Sequence, residues 1–179
     1  MPSEPNVINA TNSLSFRNCH WNANNALLGS AVDLDYWRIY TTGAKMQVKF
    51  SACKFHDNKN SENIVLTSRN VQGEFNSYGT GALYANGMPV VFEDFVEFIN
   101  NSGSALAIYD TIASFSENCS ASFINNNAWM GGAVVMLGAS QMWINPYTVF
   151  WFQNNKARLR GGAIYALQTS RHDLLSGGN

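Results

Sequence analysis

Phe123-Ile124-Asn125-Asn126-Asn127-Ala128-Trp129-Met130-Gly131-Gly132-Ala133-Val134 is the stretch that decides how this chain folds. It joins an aromatic residue, a run of asparagines, a short gap, and Gly-Gly-Ala before a β-branched residue. The phrase returns at Phe152-Gln153-Asn154-Asn155, followed by Gly161-Gly162-Ala163-Ile164. An earlier copy runs from Trp21 through Asn24-Asn25 to Gly29-Ser30-Ala31-Val32. Two shorter copies run from Phe75-Asn76 to Gly81-Ala82-Leu83 and from Phe98 through Asn100-Asn101 to Gly103-Ser104-Ala105-Leu106. Recurrence of this kind marks a repeat architecture in which each copy is one supersecondary unit stacked on its neighbours.

Working outward from the aromatic residue, the position two before it is Cys19, Cys53, Gly73, Val96, Ala121 or Phe150, apolar or small each time. The position between is His20, Lys54, Glu74, Glu97, Ser122 or Trp151, polar in all but the last. That alternation predicts a strand with one face buried and one wet. Slightly upstream, Leu14-x-Phe16, Val48-x-Phe50, Val90-x-Phe92 and Ala113-x-Phe115 predict another short strand, with polar residues after it at a bend. A third strand follows Gly-Ala: Val32, Leu83, Leu106, Val134 and Ile164 face inward, and Asp33, Tyr84, Ala107, Val135 and Tyr165 are placed toward water. Successive Gly-Ala alanines are 23 residues apart from Ala82 to Ala105, then 28 to Ala133 and 30 to Ala163. A helical repeat would lose its packing face under such changes, whereas a coil of strands lets the extra residues bulge at a turn. The expected fold is all-β: a right-handed parallel β-helix of about six rungs with three short strands per rung, over residues 14–168. Residues 1–13 are expected to form a tail, and 169–179 a second tail or a truncated next rung. In this reading Phe98, Phe123 and Phe152 form an inward stack. Asn100, Asn125 and Asn154 occupy turns, where asparagine takes left-handed backbone and donates its amide to the next rung. Gly131-Gly132-Ala133 and Gly161-Gly162-Ala163 give the chain dihedrals that a β-carbon would block.

Phe-x-Asn-Asn followed by Gly-Gly-Ala-Ile resembles the polymorphic outer-membrane protein repeat, known from bacterial autotransporter adhesins and from animal secreted proteins. The likeness spans roughly residues 14–168 and is best from Phe98 onward. Ser30 and Ser104 replace the second glycine, the Phe55 unit lacks Gly-Gly, and no stretch matches the autotransporter's β-barrel. The resemblance implies a β-helix of pectin-lyase-like shape, surface-exposed and adhesive, and it implies no catalytic residues.

Composition narrows the function further. Only 13% of the 179 residues are charged and the net charge is −1, so no electrostatic case exists for nucleic acid or an anionic membrane as partner. The 23 asparagines and 14 glycines favour tight turns over helices. No run approaches the 18 apolar residues of a membrane-spanning helix. The start shows no basic segment followed by an apolar run, and the chain is expected to be an excerpt or the product of an incomplete gene model.

Each candidate site has a plain structural alternative. Cys19 and Cys53 hold one inward slot on adjacent units, within disulfide range or simply as a small apolar pair. His20, His56 and His172 form no metal-ligand set, and no cofactor is expected. Asn9, Asn100 and Asn118 open sequons for N-glycosylation. Asp33 and Asp35 form a close carboxylate pair with no counterpart on other units, and Glu93, Asp94 and Glu97 form an acidic patch. Lys156, Arg158 and Arg160 form a basic turn. Glu74 and Glu97, near Lys54, share an outward slot on what should be consecutive rungs, the one arrangement close to paired acid–base work. Tyr84, Tyr165, Trp143 and Trp151 are placed outward, where indoles and phenols stack on sugar rings or bury in a partner. The expected function is an extracellular or cell-surface β-helix with a structural or adhesive role, no catalysis, and a glycan or protein surface as ligand. The alternative is a pectin-lyase-like carbohydrate-active domain whose site lies partly outside this sequence.

Overall fold

The aromatic residues that repeat in the sequence lie on top of one another in two columns. In the first, Phe16, Phe50, Phe92 and Phe115 stack with ring centroids 5.3, 5.8 and 4.8 Å apart, and Phe150 closes it edge-on. In the second, Trp21, Phe55, Phe98, Phe123 and Phe152 are separated by 4.6, 4.7, 5.0 and 5.0 Å and lie within 10° of parallel. These separations match the spacing of hydrogen-bonded strands, so each ring belongs to a different strand of a parallel ladder. The structure is a computed structural model, and it describes residues 12–26, 29–35, 46–60 and 81–167.

Those residues form strands and turns, with no helix, in five successive units. The first unit holds β1 (Asn12–Arg17), β2 (His20–Asn22), β3 (Asn25–Ala26) and β4 (Val32–Asp35). The second holds β5 (Met46–His56), β6 (Lys59–Asn60) and β7 (Leu83–Asn86), and the third β8 (Val90–Ile99) and β9 (Leu106–Tyr109). The fourth contains β10 (Ile112–Phe115), β11 (Ser120–Ile124), β12 (Asn127–Met130) and β13 (Val134–Leu137). The fifth contains β14 (Gln141–Ile144), β15 (Val149–Gln153), β16 (Lys156–Arg160) and β17 (Ile164–Leu167). Every strand pair is parallel and joins one unit to the next. The largest sheet orders β1-β5-β8-β10-β14, with β2, β11 and β15 beside it. A second sheet orders β4-β7-β9-β13-β17, and the short strands β3-β6 and β12-β16 form two narrow ladders, with Ser102 bridging Lys59 and Asn127 between them.

The bend between the first two strands of each unit has one residue in left-handed conformation: Asn18, Ala52, Asp94, Asn118 and Tyr147, with φ between 53° and 62°. In β5 and β8 the two short strands merge into one strand kinked at that residue, where the register of β5 and β8 slips.

Three features differ from the expectation. Phe55 pairs directly with Phe98, and Val32 with Leu83. Phe55 and Gly81-Ala82 therefore belong to one unit, and the described residues build five units where six were expected. Phe75 and Glu74 lie outside the described residues. The gap between the asparagines and Gly-Gly is not a loop: it forms β12 and β16, which pair Asn127 with Lys156 and Ala128 with Ala157 and slip in register before Met130 and Arg160. Third, Ala107 and Val135, placed toward water by strict alternation, are buried at 1% and 2% exposure. They pack with Leu137, flanked by Tyr84, Tyr109, Tyr165 and Leu167, so the outer side of the β4-β17 sheet carries its own apolar cluster.

The asparagine pairs divide their labour. The first position of each pair takes the left-handed turn: Ala23, Asp57, Asn100, Asn125 and Asn154, with φ of 54–56°. The second position, three residues after the aromatic ring, forms the ladder. Asn24, Asn58, Asn101 and Asn126 donate Nδ2–H to Oδ1 of Asn58, Asn101, Asn126 and Asn155 at 2.9–3.0 Å. Their backbone N–H groups donate to the same oxygens at 2.9–3.1 Å. The other amide hydrogen of Asn58, Asn101, Asn126 and Asn155 goes back to the carbonyl of the aromatic residue one unit earlier, at 2.7–3.1 Å. Asn101 and Asn126 thus bury a primary amide almost completely with every donor and acceptor used, the condition under which a buried polar network adds rigidity. Asn100, Asn125 and Asn154, expected to form this ladder, are exposed turn residues instead.

After the ladder, Gly131 turns with φ +56°, and a β-carbon there would collide with the carbonyl of Val134. Gly132 is needed for a different reason: a β-carbon would strike the carbonyls of Gly162 and Lys156 in the next unit.

Candidate binding surfaces

The outer side of the main sheet carries columns of solvent-facing residues, one from each unit. One column reads His20, Lys54, Glu97, Ser122, Trp151. A second reads Ser15, Lys49, Val91, Ser114, Trp143. Each begins among polar and charged groups and ends on an indole in the fifth unit.

Charged groups of the second and third units pair across the ladder between β5 and β8. Lys54 Nζ lies 2.9 Å from Glu97 Oε2, and Lys49 Nζ 3.3 Å from Glu93 Oε1. The Ser51 hydroxyl donates to the Asp94 carboxylate. His56 Nε2 lies 3.4 Å from Glu97 Oε2, off the line of a hydrogen bond, and its ring stands edge-on to His20 at 4.8 Å. Burial pushes the His56 imidazolium pKa down, the His20 charge adds to that, and the Glu97 carboxylate opposes it. Glu97 has Lys54 and Ser122 as its neighbours in register; Glu74, expected beside it, lies outside the described residues.

At the fifth unit the indoles are tethered along their own strands. Trp143 Nε1 donates to Gln141 Oε1 at 2.8 Å, and Trp151 Nε1 to Gln153 Oε1 at 3.1 Å. Residues two apart on a strand share a face, so each glutamine holds its indole edge and leaves ring surface to solvent, with Trp151 58% exposed. Round the turn, the Arg158 guanidinium sits 4.5 Å over the partly exposed Trp129 ring, a cation–π contact that occupies one charge of the basic turn. An open depression of about 550 Å³ beside it is lined by Asn125, Asn126, Asn127, Asn154 and Lys156. Asn126 is committed to the ladder, leaving the exposed amides and Lys156 Nζ as its free polar groups.

Tyr84 and Tyr165, expected as exposed aromatics, belong to the apolar cluster around Ala107 and Val135. Burial, followed by the charges of Asp35 and Asp33, pushes the Tyr84 phenol up to about 12. Burial and the neighbouring Asp35 raise the Asp33 carboxyl, and Asp35 Oδ1 accepts a hydrogen bond from Asn86 Nδ2 at 2.9 Å. Cys19, Cys53 and Cys119 are free thiols. Burial raises both Cys53 and Cys119, the latter to about 11 with Asp94 and Glu93 contributing, so these two are packing residues with little thiolate at neutral pH. Among the sequons, Asn100 and Asn118 are exposed and Asn9 lies outside the described residues. The ladder amide next to the Asn100 sequon is that of Asn101, so the Asn100 amide stays at the surface, donating to Asp57 Oδ1 at 3.2 Å. His172 also lies outside the described residues. Among the described residues no helix is long and apolar enough to cross a membrane, and no three His, Cys, Asp or Glu side chains cluster as metal ligands.

The sequence signal that would have found the ladder is an aromatic residue with asparagine three positions on and a small-residue Gly/Ser-Ala step after it. Phe55/Asn58 satisfies the first part, and Phe75, with Tyr78 at that position, does not. Comparison with protein-family models, with curated proteins and with solved structures found no match for the chain.

Proposed function

We propose that the parallel ladders are the faces of a right-handed β-helix and that this β-helix is an extracellular or cell-surface binding module, adhesive and non-catalytic. The fold reading is supported by pairing that always joins equivalent strands of successive units, and by the right-handed sense that crossovers between parallel strands almost always take. The resemblance of Phe123–Val134 and Phe152–Ile164 to polymorphic outer-membrane protein repeats supports the adhesive role and the location.

The observation that carries the functional reading is the content of the outward columns. The acids on and beside them, Glu97, Glu93 and Asp94, are held by Lys54, Lys49 and Ser51, whereas a hydrolytic or eliminating site needs an acid and a base free to reach one bond. Ring surface is what the face offers instead, at Trp143 and Trp151. An indole held at its edge presents a flat apolar plate, suited to the faces of a sugar ring or a partner's apolar side chain. The ligand class we favour is a glycan.

The test is binding to a panel of immobilised neutral and acidic glycans, with Trp151→Ala and Trp143→Ala beside the parent chain. Loss of binding of about tenfold or more in either variant, at unchanged melting temperature, supports the reading. Binding that ignores both tryptophans refutes the surface. Depolymerisation of any glycan by the parent chain that disappears in Glu97→Gln refutes the non-catalytic assignment.

A further inference from the structure

The asparagine ladder has a direction. At each step the backbone N–H and the amide of one unit donate to Oδ1 of the following unit, from Asn24 through to Asn155. A directed ladder has unlike ends. Among the described residues, the Asn155 backbone N–H and one of its amide hydrogens meet no acceptor, and no donor reaches Asn24 Oδ1.

The rest of each end has the same character. Among the described residues, strands β1 to β4 pair on one side only, as do β14 to β17. Inward columns that are buried in the middle units open at the last one, where Ile144, Phe152 and Ile164 are 58%, 36% and 44% exposed. In the first unit the same three columns end on Phe16, Trp21 and Val32, which are only partly buried. Apolar group therefore meets apolar group in every one of these columns if the fifth unit of one chain is laid on the first unit of another. In that register the donors of Asn155 meet the Oδ1 of Asn24, the Phe152 ring continues onto Trp21, and Lys156 falls beside the neutral Asn25.

We propose that these ends are complementary docking surfaces and that the occupant of each is a second copy of this chain, joined head to tail with β15 beside β2. A two-fold arrangement of like ends is disfavoured, because it sets the Asn155 donors against each other and offers them no acceptor. A second copy supplies, in one register, a ring for Trp21 and Phe152 and the ladder partners of Asn155 and Asn24. A contact between unlike ends does not close on itself, so it propagates into a linear assembly. This inference rests on the ladders alone and not on the glycan-binding reading.

Sedimentation velocity over a range of concentrations tests it, with one end blocked at a time. Ile164→Lys places a charge in the fifth-unit end, and Leu14→Lys does so at the first, where Leu14 is 41% exposed. The parent chain is expected to grow past the dimer as concentration rises. Each variant alone is expected to stay monomeric, and an equimolar mixture of the two to form a complex that stops at two chains. Ile144→Lys and Val32→Lys repeat the test should either first variant fail to keep the parent melting temperature. A parent chain that stays monomeric at all concentrations overturns the proposal. So does self-association of a singly blocked variant, or a mixture of folded variants that gives no heterodimer.

Discussion

Asn125 and Asn126 are adjacent and chemically identical, yet replacing them is expected to differ several-fold in cost. Asn126→Ala removes the oxygen that accepts from the Asn101 backbone N–H and the Asn101 amide, both at 2.9 Å, and the amide that donates to the Phe98 carbonyl at 2.9 Å. Three polar groups at a fully buried site lose their partner. At about 1–2 kcal/mol for each group left unsatisfied, the loss is about 3–6 kcal/mol, a large share of the 5–15 kcal/mol by which an ordinary domain is stable. Asn126→Leu, which restores the volume but not the bonds, is expected to cost about as much. Asn125→Ala leaves the ladder intact and pays only for alanine in a left-handed conformation, φ 56°, about 1–2 kcal/mol, and Asn125→Gly removes even that penalty. Asn24→Ala, at the end of the ladder and partly exposed, surrenders one amide bond and is expected to cost about 1 kcal/mol. Urea denaturation of the five variants, with midpoints compared at a shared slope, reads these differences directly. Equal destabilisation by Asn125→Ala and Asn126→Ala would refute the division of labour within the pair.

Phe123→Ala, at a fully buried ring stacked on both sides, is expected to lose about 3–5 kcal/mol, and Phe152→Ala markedly less, since Phe152 is partly exposed and closes the column; thermal denaturation that ranks them in the opposite order contradicts the stack. Gly132→Ala is expected to be strongly destabilising because of the carbonyls of Gly162 and Lys156, while Gly162→Ala, whose nearest contact would be a carbonyl at 3.6 Å, should fall within about 0.5 kcal/mol of the parent; similar melting temperatures for the two would show that no unit approaches Gly132. The His56 pKa is depressed in the folded chain, so below about 6.5 the unfolded state binds a proton that the native state resists. Stability is therefore expected to be fully present above that pH and to decline as pH falls toward the native value, with the dependence reduced in His56→Gln; a urea midpoint for the parent that rises on acidification through this window contradicts the assignment.

The buried columns were legible because a period of two is a property of single strands. Val96 and Phe98, or Ala121 and Phe123, announce an inward face without reference to any neighbour. The asparagine roles were not legible on the same terms. Asn125 and Asn126 look alike to composition and propensity, and what separates them is a partner one unit away. The left-handed site tolerates Ala23 and Asp57 as well as asparagine, so the turn is the more permissive position and the ladder the more demanding one. The unit count failed for a related reason. Phe75-Asn76 mimics the start of a copy, but the unit boundary is fixed by which ring stacks on Phe98, and that is Phe55. The outer side of β9 and β13 escaped because alternation assigns every second residue to water. Ala107 and Val135 obey the alternation and still lie buried, packed with Leu137 and flanked by Tyr84, Tyr109, Tyr165 and Leu167 on the same side of the sheet. The tethered indoles were visible as outward positions, but their glutamine partners were not singled out.

Repetition of one side-chain amide has a consequence that repetition of phenylalanine does not. A stacked ring is the same seen from above or below, so a column of phenylalanines ends in the same apolar surface at both ends and would accept either end of another column. A primary amide is not symmetric along the stack. Once Asn58 donates to Asn101, the Asn101 oxygen is filled by two donors, and its amide must find its own acceptor in the next unit. The choice made at the first step is forced on every later one, and reversing a single asparagine would set amide against amide on one side and oxygen against oxygen on the other. The rings therefore supply most of the apolar burial without specifying direction. The asparagines add less burial but make each unit able to tell the unit before it from the unit after it, within one chain or between two.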